Sequence, residues 1–498
     1  MPQEDNRKKK KCSMQKTKSE SDAPPKLYHM GSLSYSRSGL LCLFSWLLWG
    51  DFCANLMEAA IPNVIPLKLK SLGCSATLIS ILLTSAPCVV LLLWNPVIAT
   101  WSDRHRGRWG RRIPFLLGGT PFMALALIGL GLCDPLGRLL SRLSGGAFPE
   151  SVGSIGVITV MMLMFHMCNS FVLWPYNMLV NDTVPREVLG RFAMLFRIVS
   201  TIAVAAFSFL VFPHAETHYL YIFIGAALLF AVAYPMMCLR VKEGDYPPPE
   251  PVRGGWGTHV STYFRECFSH PFYWHLFLGT AFIVVAGAAN PFILLMNKSL
   301  GLDLKQIGWI AGGAGLLSLP VFFIAGLFLD RWNLVKLFFY GRVFQTIITA
   351  GFLVYLFFDL TARQVLVITV VLNLLLLVVT AVMLVAMVPM NMMLLPRERY
   401  GQFNSALNMV VGITGIFAGV LMGVFMDVMR VVHPDSDFHY RYAPLWMTVF
   451  YCLGTYFQYR VYRHVRDTHG DNLAGFVPPD TSMAKDATAT SNLKCDVE

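Results

Sequence analysis

Residues 95–114 read NPVIATWSDRHRGRWGRRIP, and this stretch decides the fold. It lies between apolar segments at 77–100 and 113–133, each long enough to cross a hydrocarbon layer of about 30 Å as a helix. Within it stand Asp103 and five arginines, Arg104, Arg106, Arg108, Arg111 and Arg112. So basic and short a loop is expected to stay on the cytoplasmic side, which orients every neighbouring segment.

Outward from this loop the pattern repeats. Six apolar segments are predicted at 39–61, 77–100, 113–133, 153–180, 192–212 and 217–239. Six more are predicted at 271–296, 307–329, 337–358, 362–394, 403–429 and 442–462. This divides the chain into a disordered cytoplasmic tail (1–36), a first bundle (37–239), a cytoplasmic linker (240–270), a second bundle (271–464) and a disordered cytoplasmic tail (465–498). The composition agrees: 55% of the 498 residues are hydrophobic and only 14% charged, too apolar for a soluble surface. The net charge of +11 falls largely in loops and tails, where it faces anionic lipid and calls for no nucleic acid. The basic tract at 7–11 lies too far from the first apolar run for a secretory signal. The eleven cysteines form no CxxC pair and no metal-ligand spacing.

The two halves echo one another. VPREVLGRF at 184–192 matches LPRERYGQF at 395–403, with Pro185 and Pro396, Gly190 and Gly401, and Phe192 and Phe403 at one constant offset. Trp101-Ser-Asp-Arg likewise matches Phe328-Leu-Asp-Arg. The expected fold is an all-α membrane protein: twelve transmembrane helices in two pseudo-symmetric six-helix bundles, the major facilitator architecture.

SDRHRGRWGRRIPF at 102–115 resembles the SDR…RWGRRRPF signature of the glycoside–pentoside–hexuronide:cation symporters and of the plant sucrose carriers. Trp49-Gly50-Asp51-Phe52, Asn95-Pro96, and Trp174-Pro175-Tyr176 followed by Asp182 and Arg191 are similar to further motifs of that group. The resemblance implies cation-coupled uptake of a sugar or glycoside, with Asp51 accepting sugar hydroxyls and a sugar- or carboxylate-binding Arg on the fifth helix. This chain departs from the group in two respects, one of them on the fourth helix, where Leu173 stands in place of the group's acidic residue two positions before the Pro, and the other on the second. Asn95 stands where melibiose-type carriers bind the coupling cation, and no Asp or Glu lies in 77–100.

Asp51, Asn55 and Glu58 fall on one face of the first helix, since seven residues return almost to the starting face. Charged groups at membrane depth are costly unless they face a cavity or a partner, so this stripe is expected to line one. Glu58 is the candidate proton carrier, because desolvation favours a neutral carboxyl. The alternative is that Glu58 emerges at the interface near Pro62. His166, Asn169, Ser170, Leu173 and Asn177 form a second face, suited to a polyol or to neighbouring helices. Trp174 could stack on a sugar ring or anchor the interface. Arg197 is expected to pair with Asp51 across the cavity or to snorkel, and Asn290 and Asn408 to complete the cavity from the second half. Asp103, Arg104, Arg111, Arg112, Asp330 and Arg331 are expected to gate the cytoplasmic side or simply to anchor it. Gly415, Gly419 and Gly423 permit close helix approach.

These readings give a secondary active transporter by alternating access, a proton- or cation-coupled symporter of a sugar or glycoside. A carrier of another solute such as a lysolipid, or a non-transporting receptor, is the alternative. GxSxG, HExxH and Walker signatures are missing, so no enzyme is expected. The expected cofactors are none beyond a coupling H+ or Na+, with no metal site. The expected partners are the small-molecule substrate and the lipid bilayer, for a monomer in the plasma (inner) membrane with both termini cytoplasmic.

Overall fold

The computed structural model describes residues 27–244, 263–434, 437–470, 476 and 478–479; the side chains of Ala99 and Asp330 fall outside it. Eleven helical spans among these residues are long and apolar enough to cross a membrane. They are α1 (Arg37–Ser71), α2 (Ala76–Arg104), α3 (Ile113–Gly131), α4 (Glu150–Thr183), α5 (Leu189–His214), α6 (Tyr219–Arg240), α7 (Pro271–Ser299), α8 (Leu304–Phe328), α9 (Leu334–Phe357), α10 (Ala362–Leu394) and α11 (Arg397–Val432). A less apolar twelfth helix, α12 (Ala443–His469), completes the set. Local sequence starts several of them. Ser36 and Ser75 accept backbone N–H bonds, while Asp303 with Gln306 and Thr361 with Gln364 form capping boxes.

Packing shows the two halves. In the first bundle α3 lies against α4 and α6, α2 against α4, and α1 against α5 and α6. Each pairing recurs six helices later: α9 with α10 and α12, α8 with α10, α7 with α11 and α12. The sequence repeat has a structural meaning too. Phe192 and Phe403 are both fully buried, each against an aromatic ring of the helix that opens its half, Phe44 at 4.8 Å and Tyr273 at 4.5 Å. Those opening helices are also both interrupted, α1 at Ala59 and α7 at Ala288 and Ala289.

The halves meet through α5 with α8 and α2 with α11. The polar contacts described between them lie toward the end away from the 101–112 loop. Lys70 pairs with Asp437 at 2.6 Å, Lys298 pairs with Glu216, and Ser85 donates to the Ile416 carbonyl at 2.7 Å. One apolar core runs through the first bundle and into that same end of the second, while the other end of the second bundle has a core of its own. Here the glycine stripe acts. A Cβ on Gly423 would stand 2.4 Å from the Thr77 Cα, and one on Gly419 2.2 Å from the Ser85 Oγ. Only glycine lets α11 approach α2 so closely.

Three expectations need correction. Within the tail expected to be disordered, Tyr28–Met30 (β1) pairs antiparallel with Leu33–Tyr35 (β2), because Gly31 takes the positive φ of +57° that the turn requires. Within the linker, residues 263–268 are helical; the polar tail expected from 465 also begins later, since α12 runs to His469. The rest of the linker (245–262) and most of both tails lie outside the described residues.

Candidate functional site

The polar stripe of α1 turns inward. Asp51 is 3% exposed. Asn55 Nδ2 donates to its Oδ1 at 2.8 Å, and Ser200 Oγ of α5 donates to its Oδ2 at 2.6 Å. Two turns beyond Asp51, where α1 is interrupted, Glu58 Oε1 accepts from Asn169 Nδ2 of α4 at 2.7 Å. The two faces read separately from the sequence thus meet at this bond, and both carboxylates are held by donors from other helices. That is how charged groups are retained at membrane depth.

His166 Nε2 lies 3.2 Å from the Leu82 carbonyl of α2, in the wide π turn Ile81–Ser85. Asn177 donates back to Leu173 of its own helix at 3.0 Å, and Trp174 is exposed. Asn290 and Asn408 occupy exposed positions on α7 and α11, and among the described residues neither bonds to α1. Arg197 does not pair with Asp51. Ser200, one turn along α5, takes that place, and the guanidinium lies 4.9 Å over the Phe322 ring of α8. There it lines a cavity of about 330 Å³ with Ser318, Phe322, Asn373 and Thr380. A long side chain chooses its direction by what it meets, which helical spacing does not record.

The basic loop is tied within the first bundle. Arg112, 3% exposed, donates to Asp103, to Ser102 Oγ at 2.5 Å and to Asp182 at 3.4 Å. Arg111 donates to Asp182 at 2.7 Å. Arg104 and Arg331 are exposed, and the Asp330 side chain lies outside the described residues. Sequence reading missed Glu243, just past α6. Its carboxylate accepts the backbone N–H groups of Arg111, Arg112 and Ile113 at 2.7–2.8 Å, capping the start of α3. Gly110, at φ +100°, gives way to it; a Cβ there would stand 2.6 Å from the Glu243 Cδ. Glu243→Ala is expected to cost about 2 kcal/mol through loss of these charge-assisted bonds. Thermal unfolding of the detergent-solubilised protein checks this, and an unchanged midpoint would refute the cap.

Sequence reading also missed Asp427. Its carboxylate accepts from Ala76 N at 2.8 Å, Thr77 N at 2.9 Å and Thr77 Oγ1 at 2.5 Å, clamping α11 to the start of α2. No group of three or more His, Cys, Asp or Glu among the described residues could hold a metal ion.

Residues 47–419 match the sequence model of the Major Facilitator Superfamily. The "Membrane-associated transporter protein" of Mus musculus is 27% identical over 151 residues, 30% of this chain and 27% of that protein. The Homo sapiens protein of the same description is 27% identical over 148 residues, 30% of this chain and 26% of that protein. The match thus spans about a quarter of these relatives' length. A bacterial homologue of the iron transporter ferroportin, solved facing inward, has a TM-score of 0.63 at 14% identity and covers 85% of this chain and 99% of its own. A nucleoside transporter reaches 0.60 at 13% (85% and 98%), and a D-xylose-proton symporter 0.56 at 13% (86% and 98%). At such identities the likeness is one of fold.

Proposed function

Since the chain belongs to the major facilitator superfamily and is an integral membrane transporter, we propose that it is a proton- or cation-coupled symporter of a sugar or glycoside. The observation that carries this reading is the carboxylate pair of α1, Asp51 bonded by Asn55 and Ser200, and Glu58 bonded by Asn169. Asp51 is the polyol acceptor and Glu58 the proton carrier, because a carboxyl that can be neutral or charged at depth couples a proton to a conformational change. The resemblance to the glycoside–pentoside–hexuronide:cation symporters supports the substrate class.

Both termini and the 101–112 loop are cytoplasmic in this reading, in the plasma (inner) membrane, by the excess of Arg on that side. The bundles are then closed against the outside and parted toward the cytoplasm. The Asp103–Arg112–Asp182 cluster holds α2, α3 and α4 together as one moving body. The carrier acts as a monomer. The test is uptake of a panel of radiolabelled disaccharides into proteoliposomes, with and without a proton gradient. Accumulation that follows the gradient supports the reading, and gradient-independent flux rejects the coupling. Glu58→Gln is expected to make uptake independent of external pH; a pH profile like that of the unaltered protein removes Glu58 as carrier.

A second reading, a carrier of an amphipathic solute such as a lysolipid, has its own support. The Arg197 cavity meets an apolar groove of about 480 Å³ at Ala314 and Asn373, which line both, and Trp309, Ile310 and Leu317 line the apolar arm. A single hydrocarbon chain with a polar head fits that order of surfaces. Competition of disaccharide uptake by a single-chain phospholipid separates the two readings.

A further inference from the structure

We propose that the hydroxyl of Tyr234, on α6, is the stepping stone by which a proton passes between Glu58 and Asp51. The proposal rests on the proton-coupled reading above. Seven residues of helix separate the two carboxyls by about 10 Å along the axis, too far for direct transfer. Each is occupied by its own donors, Asn55 and Ser200 on Asp51 and Asn169 on Glu58.

The register of α6 on α1 puts Tyr234 at a level between them. Helices α1 and α6 run antiparallel. Near one end a Cβ on Gly50 would lie 2.3 Å from the Met237 Sδ. Near the other, Lys68 Nζ lies 5.2 Å from the Tyr219 ring centre. That register sets Tyr234 level with Cys53, above Asp51 and below Glu58. Side chains lean toward the start of their own helix, so α6 carries this phenol toward Glu58. The charges of both carboxylates reach Tyr234, and Cys53, Cys238 and Tyr176 are the other titratable groups beside it.

The ring is fully buried, with centres 4.2 Å from Phe230 and 6.0 Å from Tyr176. Its hydroxyl is buried without a hydrogen-bond partner among the described residues. A buried hydroxyl left unbonded is destabilising, so packing alone would be better served by phenylalanine. The hydroxyl has a use if it bonds alternately to the two acids. In the transfer, protonated Glu58 gives its proton to the phenol oxygen while the phenol gives its own to Asp51. One O–H bond breaks and one forms on the phenol, which is neutral before and after; rotation of the C–O bond resets it.

Tyr234→Phe removes only that oxygen. Infrared spectra of the purified full-length protein in lipid follow the protonated Glu58 carbonyl band, identified by its absence in Glu58→Gln. After transfer to D2O its exchange is expected to slow by at least about tenfold in Tyr234→Phe, with a melting temperature equal to or above that of the unaltered protein. Exchange at the unaltered rate overturns the relay. Trifluorotyrosine at position 234 keeps the hydroxyl and makes it more acidic; a shifted exchange rate is expected, and an unshifted one counts against the relay. With [14C]sucrose as probe in proteoliposomes, Tyr234→Phe should retain exchange across equal pH while losing gradient-driven accumulation. Equal loss of both points to a structural role and overturns the relay. If the unaltered protein carries no sucrose, the substrate assignment is in question and the infrared result still decides the relay.

Discussion

Asp51→Asn is expected to reduce gradient-driven solute accumulation on the order of a hundredfold while leaving the protein in the membrane. The substitution keeps the shape of the side chain and changes what it offers. Both carboxylate oxygens are acceptors, Oδ1 from Asn55 and Oδ2 from Ser200. An amide replaces one acceptor by a donor and abolishes the charge, so the bonds to Asn55 and Ser200 cannot both persist unchanged. Loss of a charge-assisted bond is worth about 1.5–3 kcal/mol, which sets the scale of the effect. Uptake into proteoliposomes, normalised to carrier recovered in the membrane, provides the check. Rates like those of the unaltered protein would remove Asp51 from the site and with it the principal residue assignment.

The second large effect belongs to the clamp between α2 and α11. Asp427→Ala removes three bonds from one carboxylate and Gly423→Leu drives a side chain into the Thr77 backbone. Both disfavour the arrangement in which this end is closed. For Asp427→Ala a shift of about 3 kcal/mol is expected, roughly a hundredfold in the ratio of closed to open. Spin labels placed at Lys70 and Asp437, an ion pair at 2.6 Å in this arrangement, read the result directly. The distance distribution should move to longer values in either variant, with a parallel loss of uptake. An unmoved distribution would mean that the clamp does not hold the two bundles.

The sequence made the architecture legible because long apolar runs and basic loops depend on the bilayer more than on any single contact. It was least reliable at helix ends. Asp427 fell in the last turn of the segment predicted at 403–429, but α11 continues to Val432, and the residue sits on the helix facing α2. The glycine stripe announced close approach without naming its partner, since any apolar helix would satisfy the same spacing. The α1 stripe was visible because acids are rare inside such helices, and Asn169 because amides at helical spacing stand out. Ser200 and Tyr234 carry no comparable signal; serine and tyrosine are unremarkable in membrane helices, and only the packing of α5 and α6 on α1 gives them a part. Arg197 shows the converse, a conspicuous residue whose neighbour was assigned from one dimension and found in another.

The wide turns Ile81–Ser85 of α2 and Phe207–Val211 of α5 lie on the two helices through which the first bundle touches the second. Each holds slack, an extra residue fitted into the winding. Were the same residues wound as regular α-helix instead, the extra residue would rotate one end against the other by about 100°, turning Thr77 on one helix and His214 on the other away from their present neighbours. The slack thus absorbs a length difference that would otherwise leave the two bodies out of step.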